Sequence, residues 1–452
     1  MIIRNEKLAE FLKPGKRVHM VGIGGVSMRP LALVLKDRGI NVTGSDMNSS
    51  GSTEELLRSG ISVAIGHREE NIQGADCIVR TAAARNDNPE IAAARAAGIP
   101  IFERAEAWGM IMREYQHAVC VSGTHGKTTT TSMVTHVMME AKKDPTVMIG
   151  GALPLLGAGH RVGGGDTIVL ESCEYCDSFL NFYPALAIIL NVEADHLDYF
   201  KDLADVQKSF RAFAGLATQG ILANGDDANT MECVQGMDCV TFGLGEQNRI
   251  RAINISEDWS EFDVICDGAV YAHLKLSVFG KHNTLNALAA AGAGWMLGVS
   301  GEDAANGLAT FTGAGRRMEY KGEYNGAPVY DDYAHHPGEL SCLIDAVRTQ
   351  GYKRVVVAFQ PHTYTRTHAL FEDFVRELKR VDVCVVAEIY AARERNDIGI
   401  SSRDLVAQIP GATYCEYLPQ VTEFLKANVQ PGDIVLTVGA GDIYRAGEAL
   451  VK

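Results

Sequence analysis

The chain has 452 residues and a formal net charge of −14, with 46% hydrophobic and 22% charged residues. At about 150 residues per domain, this length predicts three domains rather than one core. The acidic charge argues against nucleic acid as the main partner, because phosphate backbones require a basic surface. The chain has no apolar run of about 18 residues and a charged N-terminus, so we expect neither membrane insertion nor a signal peptide, and a cytoplasmic location.

The first predicted module opens with an apolar strand that runs into a glycine-rich turn. The turn contains Gly22, Gly24 and Gly25, and Asp46 follows about 20 positions later, at the end of a second strand. This order resembles a dinucleotide-binding fingerprint, and an NAD-dependent oxidoreductase is one interpretation. Because Ser27 stands in the place of the third glycine, we instead interpret the turn as a nucleotide-diphosphate loop of unspecified ligand.

The second module opens with a buried apolar strand, a glycine loop and a helix. The loop and the start of the helix read Gly123, Thr124, His125, Gly126, Lys127, Thr128 and Thr129. Backbone N–H groups at such a turn converge on an anion, which predicts phosphate binding. Lys127 would reach the terminal phosphates of a nucleotide, and the Thr128 hydroxyl would be a ligand of Mg²⁺. The motif is a variant, because Val121 stands where G-x-x-x-x-G-K-S/T requires glycine; an ordinary strand-turn-helix is the alternative.

Acidic residues and a histidine follow two further apolar strands of this module. Glu171 and Glu174 follow one strand, and Asn191, Glu193, Asp195 and His196 follow the other. Ligands bind at the carboxyl ends of parallel strands, so these acids and the imidazole should face Thr128, where one or two carboxylates plus phosphate oxygens would suffice for Mg²⁺. The alternatives are a solvated acid at Glu174 and a core or capping histidine at His196.

Ten cysteines without regular spacing predict reduced thiols rather than a disulfide framework. The exception is the single C-x-x-C of Cys173 and Cys176, for which a zinc site is the alternative interpretation.

The third module again alternates strands and helices. Apolar runs at 354–359, 382–387 and 433–438 each end in polar residues, which predicts a second ligand surface. Arg316 and Arg317 lie at the junction before this module, where an arginine could reach a transferring phosphoryl group; a basic linker is the alternative. The whole pattern predicts an α/β protein with domains at 1–115, 116–316 and 317–452.

Eight motifs in order resemble the Mur ligases of peptidoglycan synthesis over essentially the whole chain. They are Gly22–Gly25, Gly123–Thr128, Asn191–His196, Gly280–Asn283, Gly315–Arg317, Asp331–His336, the 359–367 segment and Gly439–Asp442. The resemblance implies an N-terminal Rossmann-like domain for a UDP-sugar, a central P-loop-type ATPase domain with a mostly parallel sheet, and a C-terminal Rossmann-like domain for an amino acid. It implies the ADP-forming attachment of L-alanine to UDP-N-acetylmuramate, with ATP and Mg²⁺, through an acyl phosphate.

The same resemblance implies roles for individual residues. Thr128, Glu174 and His196 would hold metal, and Lys127 and Arg316 would neutralise the reacting anions. Asn283 and Asp332 would contact adenosine. Ser45, Asp46 and Thr81 would join the first glycine loop around UDP, and the alanine would bind to Tyr333, His335, His362 and Arg366.

Two other functions remain open. A recycling ligase of the same family attaches a whole tripeptide to UDP-N-acetylmuramate and shares His125. A non-catalytic nucleotide-binding regulator would keep the pockets without the reaction.

Overall fold

The computed structural model describes residues 6–197, 199–392 and 394–452, and the side chains from Lys7 onwards within these ranges. They form two compact units. The first contains the described residues up to 251 together with 265–272 and 288–307, and the second contains 252–264, 273–287 and the described residues from 308 onwards. Among the described residues, no helix is both long and apolar enough to cross a membrane.

The N-terminal sheet of the first unit has five parallel strands in the order β3-β2-β1-β4-β5. Its interior strand β1 is buried along most of its length, as expected for a parallel sheet covered by helices on its faces. The strands are β1 (Arg17–Val21), β2 (Asn41–Asp46), β3 (Ser62–Ile65), β4 (Cys77–Arg80) and β5 (Ile101–Glu103), and the helices are α1 (Met28–Asp37), α2 (Gly51–Arg58), α3 (Pro89–Ala96) and α4 (Arg104–Met112).

A second sheet of this unit runs in the order β8-β7-β9-β6-β10-β11-β12, with all neighbours parallel except β7 and β8. These strands are β6 (His117–Ser122), β7 (Thr146–Leu153), β8 (Ala158–Arg161), β9 (Thr167–Glu171), β10 (Leu186–Ile189), β11 (Gly220–Asn224) and β12 (Val240–Gly243). Helices α5 (Lys127–Glu140), α6 (Leu203–Ala214) and α7 (Ala228–Cys233) connect them.

The division between the units passes through the next strands and one helix. The elements here are β13 (Ile250–Ile253), β14 (Glu261–Cys266), β15 (Ala269–Lys275), α8 (Lys281–Met296) and α9 (Gly301–Ala309).

The second unit contains a six-stranded sheet in the order β16-β17-β21-β18-β19-β20, in which only β16 is antiparallel to its neighbour. The strands are β16 (Glu319–Tyr324), β17 (Ala327–Asp332), β18 (Arg354–Phe359), β19 (Val383–Ala387), β20 (Thr413–Cys415) and β21 (Asp433–Val438). The helices are α10 (Pro337–Arg348), α11 (Tyr364–Ala369), α12 (Phe371–Leu378), α13 (Ser402–Gln408), α14 (Leu418–Asn428) and α15 (Tyr444–Leu450).

The α/β class with mostly parallel sheets is confirmed. The apolar runs predicted as strands at 354–359 and 433–438 coincide with β18 and β21, and β19 begins one residue later than predicted. The strand order of the last sheet differs from that of the first, because β21 inserts between β17 and β18. The predicted boundaries at 115 and 316 stay a prediction.

Candidate active site

The glycine loop between β6 and α5 adopts backbone angles that require glycine at its two ends. Gly123 has φ of 146° and Gly126 has φ of 82°. A Cβ at Gly123 would lie 2.9 Å from the Cβ of Leu190, so a side chain is excluded there by sterics as well. The loop therefore folds tightly against the end of β10, and its amides precede the N-terminus of α5.

Asn191, two residues after the end of β10, fixes the shape of this loop. Its Oδ1 accepts from the His125 backbone N–H (2.7 Å), and its Nδ2 donates to the His125 carbonyl (3.1 Å). Its own carbonyl accepts from the Thr124 N–H (3.0 Å). Sequence reasoning named Asn191 only as a polar strand end; its pairing with the loop depends on β6 and β10 being neighbours.

Lys127 is held at the base of the loop. Its Nζ donates to the carbonyls of Gly123 (2.5 Å) and Thr124 (3.1 Å) and to both oxygens of Glu174 (3.0 and 3.1 Å). Burial alone would lower the pKa of Lys127, but the nearby Glu174 carboxylate raises it above its ordinary value. The loop thus keeps a charged ammonium group where a phosphate would need one.

Thr128 contacts Glu171, an acid that was expected to face it but was not among the predicted metal ligands. Its Oγ1 donates to the carboxylate of Glu171, at 2.9 Å to Oε2 and 3.1 Å to Oε1. The same carboxylate accepts from the Gly150 N–H (2.6 Å). Glu171 ends β9, which pairs in parallel with β6, and this register brings it to Thr128. The structure thus places this strand-end acid beside Thr128, as the strand ends predicted.

His196 lies beside the same acidic cluster. Its Nε2 is 3.9 Å from Oε1 of Glu174 and 3.9 Å from Oδ2 of Asp195. The ring packs on Tyr175 with centroids 4.7 Å apart, and the backbone has φ of 55°. The first unit therefore brings together the predicted metal ligands Thr128, Glu174 and His196, with Glu171 added.

His125 and Thr129 complete the predicted loop residues. The Nε2 of His125 is 3.3 Å from Oε2 of Glu193, so its ring is tied to the segment after β10. Thr129 is buried on the first turn of α5.

The first glycine loop is closed by the end of β2. Gly22 and Ile23 donate their backbone N–H groups to the Ser45 carbonyl (2.9 and 3.0 Å), and Gly24 donates to Oδ2 of Asp46 (2.9 Å). A Cβ on Gly22 would lie 2.5 Å from the Cγ2 of Thr81, so this close approach requires glycine. Gly22, Asp46 and Thr81 thus lie together, and their contact with UDP stays a prediction.

Ser45 differs from its neighbours, because its side chain is fully buried under the loop. Its Oγ donates to Oε2 of Glu90 (2.6 Å), a carboxylate on α3 that is also fully buried. Glu90 further accepts from Asn71 Nδ2 (2.5 Å), and Nε2 of His19 is 3.3 Å from it. The Ser45 hydroxyl serves this buried network, and its predicted contact with UDP stays a prediction. Glu90 was missed by sequence reasoning.

Replacement of Glu90 by glutamine is expected to destabilise the protein by about 3 kcal/mol near neutral pH. Burial alone would raise the pKa of Glu90, but hydrogen bonds from His19, Ser45 and Asn71 lower it from 4.5 to about 2. Because the folded-state pKa is lowered, this stabilisation is present above the ordinary value and is lost as the pH falls from about 4.5 towards about 2.

Urea unfolding across this pH range measures the Glu90 effect. The difference between wild type and Glu90→Gln should stay constant above about pH 5 and shrink below it. Glu70→Gln, at an exposed position nearby, is the matched control and should change little. An equal loss in both variants, or a difference that does not depend on pH, would contradict the assignment.

In the second unit, the predicted alanine-binding residues form one row. The rings of Tyr333 and His335 have centroids 5.5 Å apart, and those of His335 and His362 are 6.0 Å apart. Nη1 of Arg366, on α11, lies 3.4 Å from Nδ1 of His362. Tyr390 extends the row by stacking on His362 at 5.7 Å, a residue that the predicted site did not include.

Arg316 is held inside the second unit by several groups. Its Nε donates to Oδ2 of Asp331 (2.9 Å), and its Nη1 and Nη2 donate to the carbonyls of Gly441 (2.9 Å) and Gly439 (2.6 Å). Its guanidinium also lies over the rings of Tyr333 (4.9 Å) and Tyr444 (4.7 Å). All three of its nitrogens are engaged, so the structure assigns Arg316 to the glycine loop at 439–442; its predicted contact with ATP stays a prediction.

Truncation of Arg316 to alanine is expected to cost roughly 3 kcal/mol of unfolding free energy, since it leaves the Asp331 carboxylate buried without its cation. Burial raises the pKa of Asp331, and Arg316 opposes that shift. Urea unfolding of Arg316→Ala, Asp331→Asn and the double variant measures the coupling. The double variant should lose less unfolding free energy than the two single variants lose in sum. Additive losses would contradict the coupling between Arg316 and Asp331. Arg317→Ala, whose guanidinium lies over Tyr333, is the control.

The two residues predicted to contact adenosine also lie in the second unit. Asn283, in the first turn of α8, donates its Nδ2 to the Phe279 carbonyl (2.9 Å). Asp332 is buried and accepts from the backbone N–H groups of Met318 and Ala334, both at 2.8 Å. Burial raises the pKa of Asp332 to about 6.

Three family models match successive parts of the chain. The model of the Mur ligase family catalytic domain matches residues 17–116, the Mur ligase middle domain matches 121–294, and the Mur ligase glutamate ligase domain matches 316–441. The chain belongs to the Mur ligase family. The predicted family is therefore confirmed.

Relatives within the Mur ligase family share much of the sequence. A UDP-N-acetylmuramate–L-alanine ligase of Caldanaerobacter subterraneus subsp. tengcongensis is 43% identical, over 98% of each chain. One of Agathobacter rectalis is also 43% identical, over 98% of this chain and 99% of its own. The crystal structure of UDP-N-acetylmuramate-alanine ligase from Thermotoga maritima is similar with a TM-score of 0.81 and 30% identity, covering 96% of this chain and 98% of that one.

Proposed function

We propose that this Mur ligase attaches L-alanine to the lactyl carboxylate of UDP-N-acetylmuramate, with ATP converted to ADP and phosphate. The observation that carries the proposal is the ammonium of Lys127, held at the phosphate loop beside Glu174, Glu171 and Thr128. The relatives support the same proposal, because two L-alanine ligases are 43% identical to this chain over nearly its full length.

The reaction must bring two anions together, because a carboxylate attacks the terminal phosphate of ATP. The loop amides from Gly123 to Lys127 would bind the phosphates at the N-terminus of α5, and Lys127 would neutralise the charge that develops on the transferred group. To do so its ammonium would exchange Glu174 for phosphate. The resulting acyl phosphate is attacked by the amine of alanine, and phosphate leaves.

The acidic cluster supports Mg²⁺ as the metal cofactor. The carboxylates of Glu171 and Glu174 and the hydroxyl of Thr128 are oxygen donors, which Mg²⁺ prefers, and they lie beside the phosphate loop. Thr128 and Glu174 would hold one ion and His196 another, with Glu171 either as a ligand or as the acceptor that orients Thr128. The metal supplies Lewis-acid stabilisation of the phosphates.

The other substrates are assigned by the remaining clusters. The loop of Gly22, Gly24 and Gly25, with Asp46 and Thr81, would bind the UDP-sugar. The carboxylate of alanine would pair with Arg366, and Tyr333, His335 and His362 would enclose its small side chain. Asn283 would contact adenosine. We place the enzyme in the cytoplasm, where both nucleotides are made.

Product analysis tests this function. The protein is incubated with ATP, Mg²⁺, UDP-N-acetylmuramate and one acceptor at a time: L-alanine, glycine, L-serine, or the tripeptide of the recycling ligase. We expect UDP-N-acetylmuramoyl-alanine and stoichiometric phosphate with L-alanine. Turnover with the tripeptide alone would replace this proposal by the recycling reaction, and no turnover with any acceptor would reject the ligase.

A further inference from the structure

Two cysteines flank the acid that holds the phosphate-loop lysine. Cys173 immediately precedes Glu174, and Cys176 follows two residues later. The structure holds both as thiols; Cys173 is partly exposed and Cys176 is exposed. Nothing in the proposed ligase reaction uses either sulfur. Among the described residues, no third histidine, cysteine or carboxylate joins the pair at metal-ligand distances, which leaves the zinc interpretation without support.

The backbone between the two cysteines forms a tight turn. Glu174 has helical angles (φ −73°, ψ −24°), and Tyr175 begins a 3-10 helix in which the angles first depart from helical values at Cys176. Two helical residues between positions i and i+3 hold the outer Cα atoms less than about 7 Å apart. A disulfide spans Cα separations of about 4.4 to 6.8 Å. This turn therefore brings the cysteines to a separation that one bond can close.

The backbone is strained at the end of the turn. Cys176 and Asp177 both have positive φ, at 54° and 53°, a region that residues with side chains enter at a cost. Cys176 is exposed at the end of the turn, whereas Glu174, inside the turn, is buried. A bond between the cysteines would pull on Glu174, whose carboxylate is a proposed metal ligand.

We propose that Cys173 and Cys176 form a reversible disulfide in the presence of hydrogen peroxide, and that this bond displaces Glu174 and switches off nucleotide use. The site is thus a modification site, built from the C-x-x-C that the ligase reaction leaves unused. The loss-of-activity readout rests on the proposed ligase function, whereas the formation of the bond does not.

The chemistry balances in two steps. The exposed Cys176 sulfur, as a thiolate, attacks one peroxide oxygen; an S–O bond forms, the O–O bond breaks, and hydroxide leaves to become water. The Cys173 sulfur then attacks the Cys176 sulfur; an S–S bond forms, the S–O bond breaks, and a second water leaves with the Cys173 proton. Two thiols lose two electrons, and peroxide is reduced to two waters. Cys176 is exposed and Cys173 only partly so, which makes Cys176 the first of the two to meet peroxide.

The effect on the site follows from its short distances. Glu174 is 2% exposed, and its oxygens lie 3.0 and 3.1 Å from the Lys127 ammonium. A shift of about 1 Å removes these hydrogen bonds. It also removes a metal ligand from the proposed site, so binding of the nucleotide with its metal should weaken along with ligation.

The test treats the full chain with hydrogen peroxide and follows three readouts. Mass spectrometry of tryptic peptides locates the bond, a fluorescent ATP analogue measures nucleotide binding, and phosphate release measures ligation. We expect a disulfide between Cys173 and Cys176, at least about a tenfold loss of activity, and recovery with dithiothreitol. The variants are Cys176→Ser and Cys173→Ser, with Cys342→Ser, an exposed cysteine in α10, as the matched control.

Each outcome decides one part of the proposal. Cys176→Ser should resist peroxide, whereas Cys342→Ser should lose activity like the wild type. Absence of the disulfide in peroxide-treated wild type overturns the proposal, and so does a disulfide that leaves nucleotide binding and ligation unchanged. If the untreated protein shows no ligation, the proposed function fails, while the peptide masses and nucleotide binding still judge the disulfide.

Discussion

Replacement of Lys127 by alanine is expected to lower ligation by about 1000-fold, with binding of the UDP-sugar unchanged. Loss of one preorganised donor to developing charge typically costs two to three powers of ten in rate. Lys127 in addition donates to both oxygens of the buried carboxylate of Glu174. Steady-state phosphate release measures the rate, and isothermal titration with UDP-N-acetylmuramate measures the binding.

A stability effect accompanies this substitution and needs its own control. Lys127→Ala leaves the Glu174 carboxylate buried without its cation, which costs several kcal/mol in comparable cases. The double variant Lys127→Ala with Glu174→Gln should regain stability but not activity. Lys208→Ala, at an exposed position on α6, should leave both unchanged. Ligation by Lys127→Ala within about tenfold of the wild type would refute the role of the lysine.

Arg366→Ala is expected to raise the KM for L-alanine by about 100-fold, with the KM for ATP nearly unchanged. A hydrogen bond to a charged group contributes about 1.5 to 3 kcal/mol, and the alanine carboxylate has Arg366 as its proposed partner. Initial rates with varied alanine and saturating ATP measure the effect. Arg376→Ala, on the exposed face of α12, is the matched control.

A histidine pair extends this test. His362 lies 3.4 Å from Arg366, which is on α11. His368 is exposed near the end of that helix. His362→Ala should raise the KM for alanine, and His368→Ala should not. If Arg366→Ala instead weakens ATP binding and leaves alanine unaffected, the assignment of this cluster to the amino acid is wrong.

The position of the phosphate loop and of its strand-end acids could be predicted from the sequence because local patterns determine both. An apolar strand, two glycines and a lysine define the loop, and parallel strands end at one edge of a sheet. The structure accordingly brings Lys127, Thr128, Glu174 and His196 into one cluster. The row from Tyr333 to Arg366 follows in the same way from the ends of β17 and β18.

The residues that sequence reasoning missed depend on partners distant in the chain. Glu171 was expected to face Thr128, but the Gly150 N–H that its carboxylate also accepts lies on a strand whose place in the sheet was not predicted. Ser45 is buried because a carboxylate 45 positions later on α3 accepts its hydroxyl. Arg316 is occupied by carbonyls more than 120 positions away, at Gly439 and Gly441. No local pattern contains these pairings, since each depends on strand order and helix packing.

The strand order of the last sheet was also not predictable from the pattern of apolar runs. Those runs identify β18, β19 and β21, but β21 inserts beside β17 although it is the last strand in the chain. This insertion places Gly439 next to Asp332, whose carbonyl accepts the glycine N–H (3.0 Å). Arg316 then ties the loop after β21 to β17.

Transfer of heavy oxygen tests the central claim most directly, which is that a carboxylate is phosphorylated at the Lys127 loop. UDP-N-acetylmuramate labelled with heavy oxygen in its lactyl carboxylate is converted with ATP and L-alanine, and the released phosphate is analysed by mass spectrometry. Attack of the carboxylate on phosphorus predicts one labelled oxygen in each phosphate released. Unlabelled phosphate formed together with the amide product would contradict the acyl phosphate and the role given to the loop.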